Sequence, residues 1–508
     1  MKKLTCFLCL LLCCGVALFV QGQPVRAAAE TTDATFNQEQ TVDEGAMFSG
    51  DAAAQEPKDQ KAGEPGAANP DPTVDESALF SGDTTMVEDQ KVVNDNVADE
   101  LKQKHIGFSG QVNTDAAYTQ FSPGNDWTGL GGPDQDLFSS DIAADLFVDI
   151  RLNQGIKGFL SLGVNYYPNG RDETSYVDID EEMQDEHDLP SQLPIKTKKY
   201  TDLIIKEFFI DANYKNQYYY RIGKQVLKWG QGYFWNPTDL INIERKDFTD
   251  MDKIREGTFG AKLSIPNGTK SNIYGFLDMD QASTVNDVSL AGKYEFLVNN
   301  TEMSVSARLK NGMAPVFGFD ITGRLWDLDY RGEISVAEGA NYSLLNDALE
   351  WHTMSGQFVP RLSLGFTKYF SVGDIKDRIS VTPEFYYNQV GYDQNMLQRI
   401  QNVTNENRRE ALKGEYMANY ESYGNSKYYL AVFSSVSKFI VSDMTLSINA
   451  ITNLVDHSGS LSAGITFQPT LSDISYNATV TGYFGDQFTE ATAFGNRFSI
   501  SAGATIRF

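Results

Sequence analysis

Arg221 and Gln225 lie four residues apart, the spacing that puts two side chains on one face of a β-strand. The strand reads Tyr220-Arg221-Ile222-Gly223-Lys224-Gln225. It runs into Lys228-Trp229-Gly230-Gln231-Gly232 and then Trp235-Asn236-Pro237-Thr238-Asp239-Leu240-Ile241-Asn242. A guanidinium and an amide on a shared face can contact polar solutes, and the glycines and Pro237 let the next segment bend sharply. If that face lines a pore, Arg221, Gln225, Trp229, Trp235, Asn236 and Asp239 form a constriction in it. A competing reading puts Trp229, Tyr233, Phe234 and Trp235 in an aromatic girdle at a membrane surface. Lys224 alternates onto the other face, where a charge at the bilayer midplane costs roughly 2–4 kcal/mol. A bulge near Gly223 would turn it inward.

Catalytic chemistry finds no comparable set. His105, His187, His352 and His457 are the only histidines, and none stands beside a serine and an acid on an expected strand face. There is no Gly-rich phosphate loop, zinc-binding helix motif or nucleophile elbow. The expectation is a chain that is not an enzyme, with no catalytic residues, cofactor or metal. Residues 168–202 carry Asp172, Glu173, Asp178, Asp180, Glu181, Glu182, Asp185, Glu186 and Asp188. They lack the order and central Gly of an EF-hand, so a solvated acidic loop is expected rather than a Ca²⁺ site.

The elements that must position these residues alternate with period two. Ile106, Phe108, Val112, Ala116 and Tyr118 share one parity, and Ser109, Gln111, Asn113 and Asp115 hold the other. Next, Ile142, Ala144, Leu146, Val148, Ile150 and Leu152 alternate with Asp141, Asp145, Asp149 and Arg151. Such strands place one face on lipid and the other on a polar interior. Further strands are expected near 157–167, 203–215, 217–228, 256–266, 270–279, 287–298, 301–311 and 316–326. The last are expected near 328–337, 360–370, 378–389, 426–438, 443–453, 459–468, 474–485 and 496–508. The strand near 426–438 alternates poorly.

The fold class expected is all-β: a transmembrane antiparallel up-and-down β-barrel of about 18 (16–18) strands over residues 105–508. Short turns (Asn153-Gln154-Gly155, Lys215-Asn216, Asn299-Asn300, 469–472) fall on one side. Long connections (168–202, 229–255, 338–359, 390–425) fall on the other, as the periplasmic and outer ends of such a barrel require. Interior parity assigns Asp115, Asp141, Asp145, Asp149, Glu207 and Asp211 to the early strands. Lys262, Arg308, Arg324, Arg331 and Arg361 fall on the later ones. Two readings stand: opposed acidic and basic walls with a transverse field, or local ion pairs.

The chain ends Phe498, Ile500, Ala502, Ala504, Ile506, Phe508, alternating onto a terminal aromatic. This resembles the signal that the outer-membrane barrel assembly machinery recognises, with Phe508 its last residue. At the other end, Lys2 and Lys3 precede an apolar run over 4–20 and Ala27-Ala28-Ala29, so residues 1–29 read as a cleaved signal peptide. An uncleaved anchor, or a lipoprotein modified at Cys14, fits less well. Cys6, Cys9, Cys13 and Cys14 all lie in this segment, so the mature chain has no disulfide or thiol chemistry.

Residues 30–104 read as a disordered acidic periplasmic tail. Thr41-Val42-Asp43-Glu44-Gly45-Ala46-Met47-Phe48-Ser49-Gly50-Asp51 recurs there as Thr73-Val74-Asp75-Glu76-Ser77-Ala78-Leu79-Phe80-Ser81-Gly82-Asp83. The repeat is either linker drift or a docking motif for a periplasmic partner. The net charge of −26 argues against nucleic acid and against docking on anionic lipid.

The phrase over 220–242 resembles outer-membrane barrels of the alginate-export type and their porin-like relatives. Those barrels carry an Arg-x-Gly-(Lys/Arg)-Gln strand entering a Trp-Gly loop with Asn-Pro-x-Asp. The resemblance implies an eighteen-stranded monomeric barrel; the mixed lumen charges depart from a uniformly basic conduit for an acidic polysaccharide. The expected function is an outer-membrane porin-like channel passing small hydrophilic solutes. The alternative is a surface and envelope-anchoring protein whose tail tethers a periplasmic partner.

Overall fold

A computed structural model of the chain describes residues 105–126, 137–152, 156–178, 192–241 and 254–508. The expected signal peptide, the tail with its repeat, the turn Asn153-Gln154-Gly155, residues 179–191 of the acidic segment and Asn242 lie outside these residues.

Eighteen strands form one sheet. They are β1 His105–Asp126, β2 Leu137–Arg151, β3 Lys157–Asp178, β4 Gln192–Tyr214, β5 Tyr218–Gln225 and β6 Thr258–Asn267. Then come β7 Ser271–Asp278, β8 Ser289–Val298, β9 Thr301–Leu309, β10 Val316–Leu325, β11 Leu328–Leu345 and β12 Trp351–Val372. The last six are β13 Ile375–Asn388, β14 Tyr428–Val436, β15 Met444–Asn453, β16 Gly459–Phe467, β17 Ile474–Phe484 and β18 Phe494–Arg507. Each pairs antiparallel with the next, and β1 pairs with β18 from Gln111↔Arg507 onward. Gly110 and Phe508 exchange both backbone hydrogen bonds, at 2.8 and 3.0 Å. The sheet is therefore a closed barrel with no edge, and each strand overlaps an expected one, with β3, β4, β11 and β12 extended at the loop end.

Parity separates the two faces. Phe108, Leu203, Phe208, Ile210 and Ile222 are exposed on the outside, whereas Ser161, Ser289, Ser304, Asp320 and Glu333 are buried on the inside. No helix among the described residues is long and apolar enough to cross a membrane. An apolar-out, polar-in closed barrel crosses by satisfying its backbone groups between strands. One end carries tight hairpin turns, helped by left-handed residues such as Lys215 (φ 56°), Asn216 (φ 50°) and Asn299 (φ 55°). The other end carries the long connections.

Three of those connections differ from expectation. In the span 168–202, expected as an acidic loop, β3 and β4 stay paired from Arg171↔Lys199 to Asp178↔Gln192, so both flanks are strand. The span 338–359 is mostly a hairpin, because β11 and β12 continue to the pair Leu345↔Trp351 through an irregular stretch at Gly339 (φ 111°). Period two fades there although the backbone ladder persists, because alternation is imposed only where the two faces of a strand meet different surroundings. The span 390–425 contains two helices, α1 Met396–Gln401 and α2 Glu406–Ala418. Asn395 and Asn405 cap them, each side chain accepting the N–H three residues on. Leu397, Ile400, Leu412 and Tyr416 make a small core with Leu345 and Ala493 at this loop end.

Candidate functional site

Residues 226–241 leave β5 at the loop end and lie inside the barrel. Leu227, Trp229 and Ile241 pack on the inward-facing Phe276 of β7 and Ala291 of β8. Trp235 lies among Tyr386 of β13, Tyr429, Ala431 and Phe433 of β14, and Ile451 of β15. Its ring stacks on Tyr386 at 5.2 Å and 4°, and its Nε1 donates to the Tyr423 carbonyl at 2.9 Å. β14 stands nine places from β5 in an eighteen-strand ring, so the segment reaches the opposite wall. The two tryptophans are buried against inward-facing side chains, a position unlike a lipid-surface girdle.

Two wall carboxylates hold the segment. Glu333 of β11 accepts the backbone N–H groups of Gln231 and Gly232, that of Thr238 at 3.0 Å, and the Thr238 hydroxyl at 2.8 Å. Glu384 of β13 accepts the N–H groups of Phe234 at 2.8 Å and Trp235 at 2.9 Å, and the Ser363 hydroxyl at 2.8 Å. The glycines follow from this approach. Gly230 sits at φ +89°, and a Cβ there would stand 2.7 Å from Glu333 Oε1; one at Gly232 would stand 1.9 Å from the Trp235 carbonyl oxygen. The sequence reading had missed both glutamates. Glu333 was legible, sharing interior parity with Arg331 two residues before it.

Arg221 faces inward with its guanidinium on Asp211, Nε and Nη2 donating at 2.7 and 3.0 Å, and lies 3.8 Å over the Phe209 ring. Gln225 differs from expectation. It is fully buried, donating to the Gly223 and Gly260 carbonyls at 3.3 Å, so it props the base of the segment and lines no open path. No bulge turns Lys224 inward: β5 pairs through Phe208↔Lys224 and Lys224↔Phe259 without a register shift. Lys224 stays on the outer face, near the loop end, ion-paired with Glu256. Asn236 donates only weakly within the segment, to the Phe234 carbonyl at 3.5 Å. Asp239 accepts from Arg255 at 3.2 Å.

Several of the lumenal charges are paired locally. Asp145 meets Lys206 at 2.5 Å and Gln111 at 3.1 Å, and Asp149 meets Lys157 at 3.1 Å and Arg151 at 3.5 Å. Lys206 reaches inward because β4 carries an extra residue where Ser161↔Glu207 gives way to Leu162↔Ile205. Glu207 accepts the Val226 N–H at 2.9 Å. Asp115 and Asp141 face each other across β1 and β2. On the later strands Arg308 bonds Asp278 at 3.2 Å, Arg324 is bidentate on Asp329, and Arg331 donates to Thr367 at 2.8 Å. Glu295, Glu302, Asp320, Glu333 and Glu384 are buried on those same strands. The later strands thus carry acids as well as bases, which does not fit opposed acidic and basic walls. Several pairs, such as Asp145–Lys206 and Arg308–Asp278, form between nearby strands, because a buried charge without a nearby partner is costly.

Between the segment and the β9–β13 wall lies a cavity of about 330 Å³. Asn236, Asp239, Arg255, Arg308, Arg361 and Tyr386 are among its lining residues. With Trp235 it brings together five of the residues expected from sequence for the constriction or lumen charge (Trp235, Asn236, Asp239, Arg308 and Arg361) and adds an arginine, Arg255, outside that set.

At the loop end Glu490 joins three connections. It accepts from Tyr423 N at 2.8 Å, Tyr429 Oη at 2.7 Å and Asn453 Nδ2 at 2.7 Å, while its own N–H bonds Asp456. Burial raises its pKa from 4.5 to about 7; the Tyr429 hydrogen bond opposes the rise and the charge of Asp456 adds to it. The docked state thus binds the proton more tightly than an opened one. Docking of the 389–427 connection should be strongest below about pH 4.5 and weaken as pH rises to about 7, then level off. Hydrogen exchange of α2, corrected for intrinsic rate, should show more protection at low pH. In Glu490→Gln that dependence should vanish, and an unchanged dependence would reject this origin.

No protein-family model and no curated protein matches this chain. Among solved structures it is similar to a BenF-like porin from Pseudomonas fluorescens Pf-5, at 9% identity and TM-score 0.48, over 79% of this chain and 98% of that one. OccK8 (OprE) of Pseudomonas aeruginosa gives 6% identity and TM-score 0.49 over 79% and 98%. OccAB4 of Acinetobacter baumannii gives 10% and 0.47 over 80% and 99%. Likeness at this level adds nothing about solutes, and the functional reading rests on the geometry of this chain.

Proposed function

We propose that the chain is an outer-membrane channel of porin type through which small hydrophilic solutes pass, in a lumen narrowed by residues 226–241. The observation that carries this reading is the charged cavity between that segment and the β9–β13 wall, inside a closed barrel whose outer face is apolar. Eighteen strands enclose enough width for water, and arginines, Asp239 and Asn236 offer such solutes fixed hydrogen-bonding partners. The alginate-type phrase over 220–242 supplies the strand and the infolded segment. Local pairing of acids with bases suits small polar solutes better than an acidic polymer, which would favour a uniformly basic wall.

In this reading the turn end faces the periplasm, outer-membrane lipid surrounds the strands, and Phe508 closes the segment that the assembly machinery reads. The folded core around α1 and α2 favours a second reading, a surface-contact protein anchored by the barrel. Liposome swelling separates the two. Purified barrel should admit small sugars at a rate falling with solute size; vesicles that never swell would support the anchor instead.

A further inference from the structure

We infer that Glu333 and Glu384 are positioning residues that set the width of the passage by holding residues 226–241 in the lumen, an inference resting on the channel reading above. Both carboxylates are almost wholly buried, at 2% and 1% exposure. A buried carboxylate needs its lone pairs filled, and a typical solution is a cation. Glu333 uses none. All four of its donors come from the segment: Gln231, Gly232 and, twice, Thr238. Successive backbone N–H groups converging on an anion form a nest, here closed around a side chain of the barrel wall.

The two glutamates divide the work. Glu333 takes residues on both sides of the bend, 231–232 and 238, and Glu384 takes its tip, 234–235. Their strands are fixed by register on both sides, through Asp320↔Glu333, Glu333↔Ser363, Gly365↔Glu384 and Glu384↔Ala431. The wall is therefore the rigid partner and the segment the one positioned. A glutamine cannot replace Glu333 in this role. Its single amide oxygen can accept from two donors, but its NH₂ would face the other two. Gly230 is the matching requirement on the segment, since a side chain there would enter the space of the Glu333 carboxylate.

Single-channel conductance of the full chain in planar bilayers tests this, with heat-modifiable gel mobility confirming a folded barrel for each variant. Glu333→Ala, Glu333→Gln and Gly230→Ala should each raise conductance or its fluctuations, and Glu333→Ala with Glu384→Ala should raise mean conductance by about twofold or more. Gly230→Ala combined with Glu333→Ala should do no more than either alone, because both break the same contact. Current appearing only in the variants would also support the hold, as one closed at rest. Folded variants with wild-type conductance and only a lowered melting temperature would overturn the positioning role while leaving the channel reading intact. Wild type and every variant passing no current would overturn both.

Discussion

Replacing residues 231–238 by a short glycine link is expected to raise single-channel conductance several-fold, the largest change anticipated for any variant of this protein. The segment occupies the lumen from the β7–β8 wall to the β13–β15 wall, so its removal opens most of that width. The barrel should survive, because β5 pairs with β6 directly from Tyr219↔Ser264 to Gln225↔Thr258 without help from the segment. Stability should fall, since Trp235 is deleted from an aromatic cluster, and loss of a buried aromatic typically costs roughly 3–5 kcal/mol. Unchanged conductance in a folded deletion would place the segment away from the path. Failed assembly with no folded product would point to a scaffolding role at the rim.

Arg221→Ala should have the second largest effect. The guanidinium makes a bidentate bond with Asp211 and covers the Phe209 ring, with its side chain only 13% exposed. Removing it leaves a lumenal carboxylate without that partner. Reversal potentials in a KCl gradient should therefore move toward cation selectivity, more at low salt than at high salt. Breaking a fully buried pair costs roughly 3–5 kcal/mol. Here Asp211 is about a quarter exposed to the lumen, so a loss of about 1–3 kcal/mol is expected. Asp211→Ala together with Arg221→Ala should return selectivity toward wild type. A double variant as cation-selective as the single one would show that another charge sets the shift.

The cavity and the infolded segment also account for a blemish in the strand pattern. The 426–438 stretch alternates poorly because Tyr429, Ala431 and Phe433 of β14 face inward yet are apolar. They pack on Trp235 and its neighbours, so the inner face there is a protein core and not a water-facing wall. Phe276 and Ala291 do the same opposite Trp229. A strand of a polar-lumen barrel that is apolar on both faces thus marks where something folds in against it. That signal is present in the sequence, as the poor alternation over 426–438.

The amino-acid sequence by itself determined the barrel: eighteen strands, their order and inward parity, and the ends bearing short and long connections. It could do so because lipid on one side and a polar interior on the other impose period two on each strand, and closure needs no information beyond neighbour pairing. The Arg221 phrase likewise announced a bend after β5 through its glycines and Pro237. Only the tertiary structure decided what that bend meets. The carboxylate partners of residues 231–238 lie about 70 to 150 positions further along the chain, at Glu302, Glu333 and Glu384, and the Tyr423 carbonyl that Trp235 meets is further still. Parity places those glutamates inside but says nothing of the level at which they sit or the segment they face. The same holds for charge. Alternation assigned acids and bases to the lumen, whereas strand register and the β4 bulge settled which neutralises which, because ion pairing depends on separations of a few ångströms that a period of two residues does not encode.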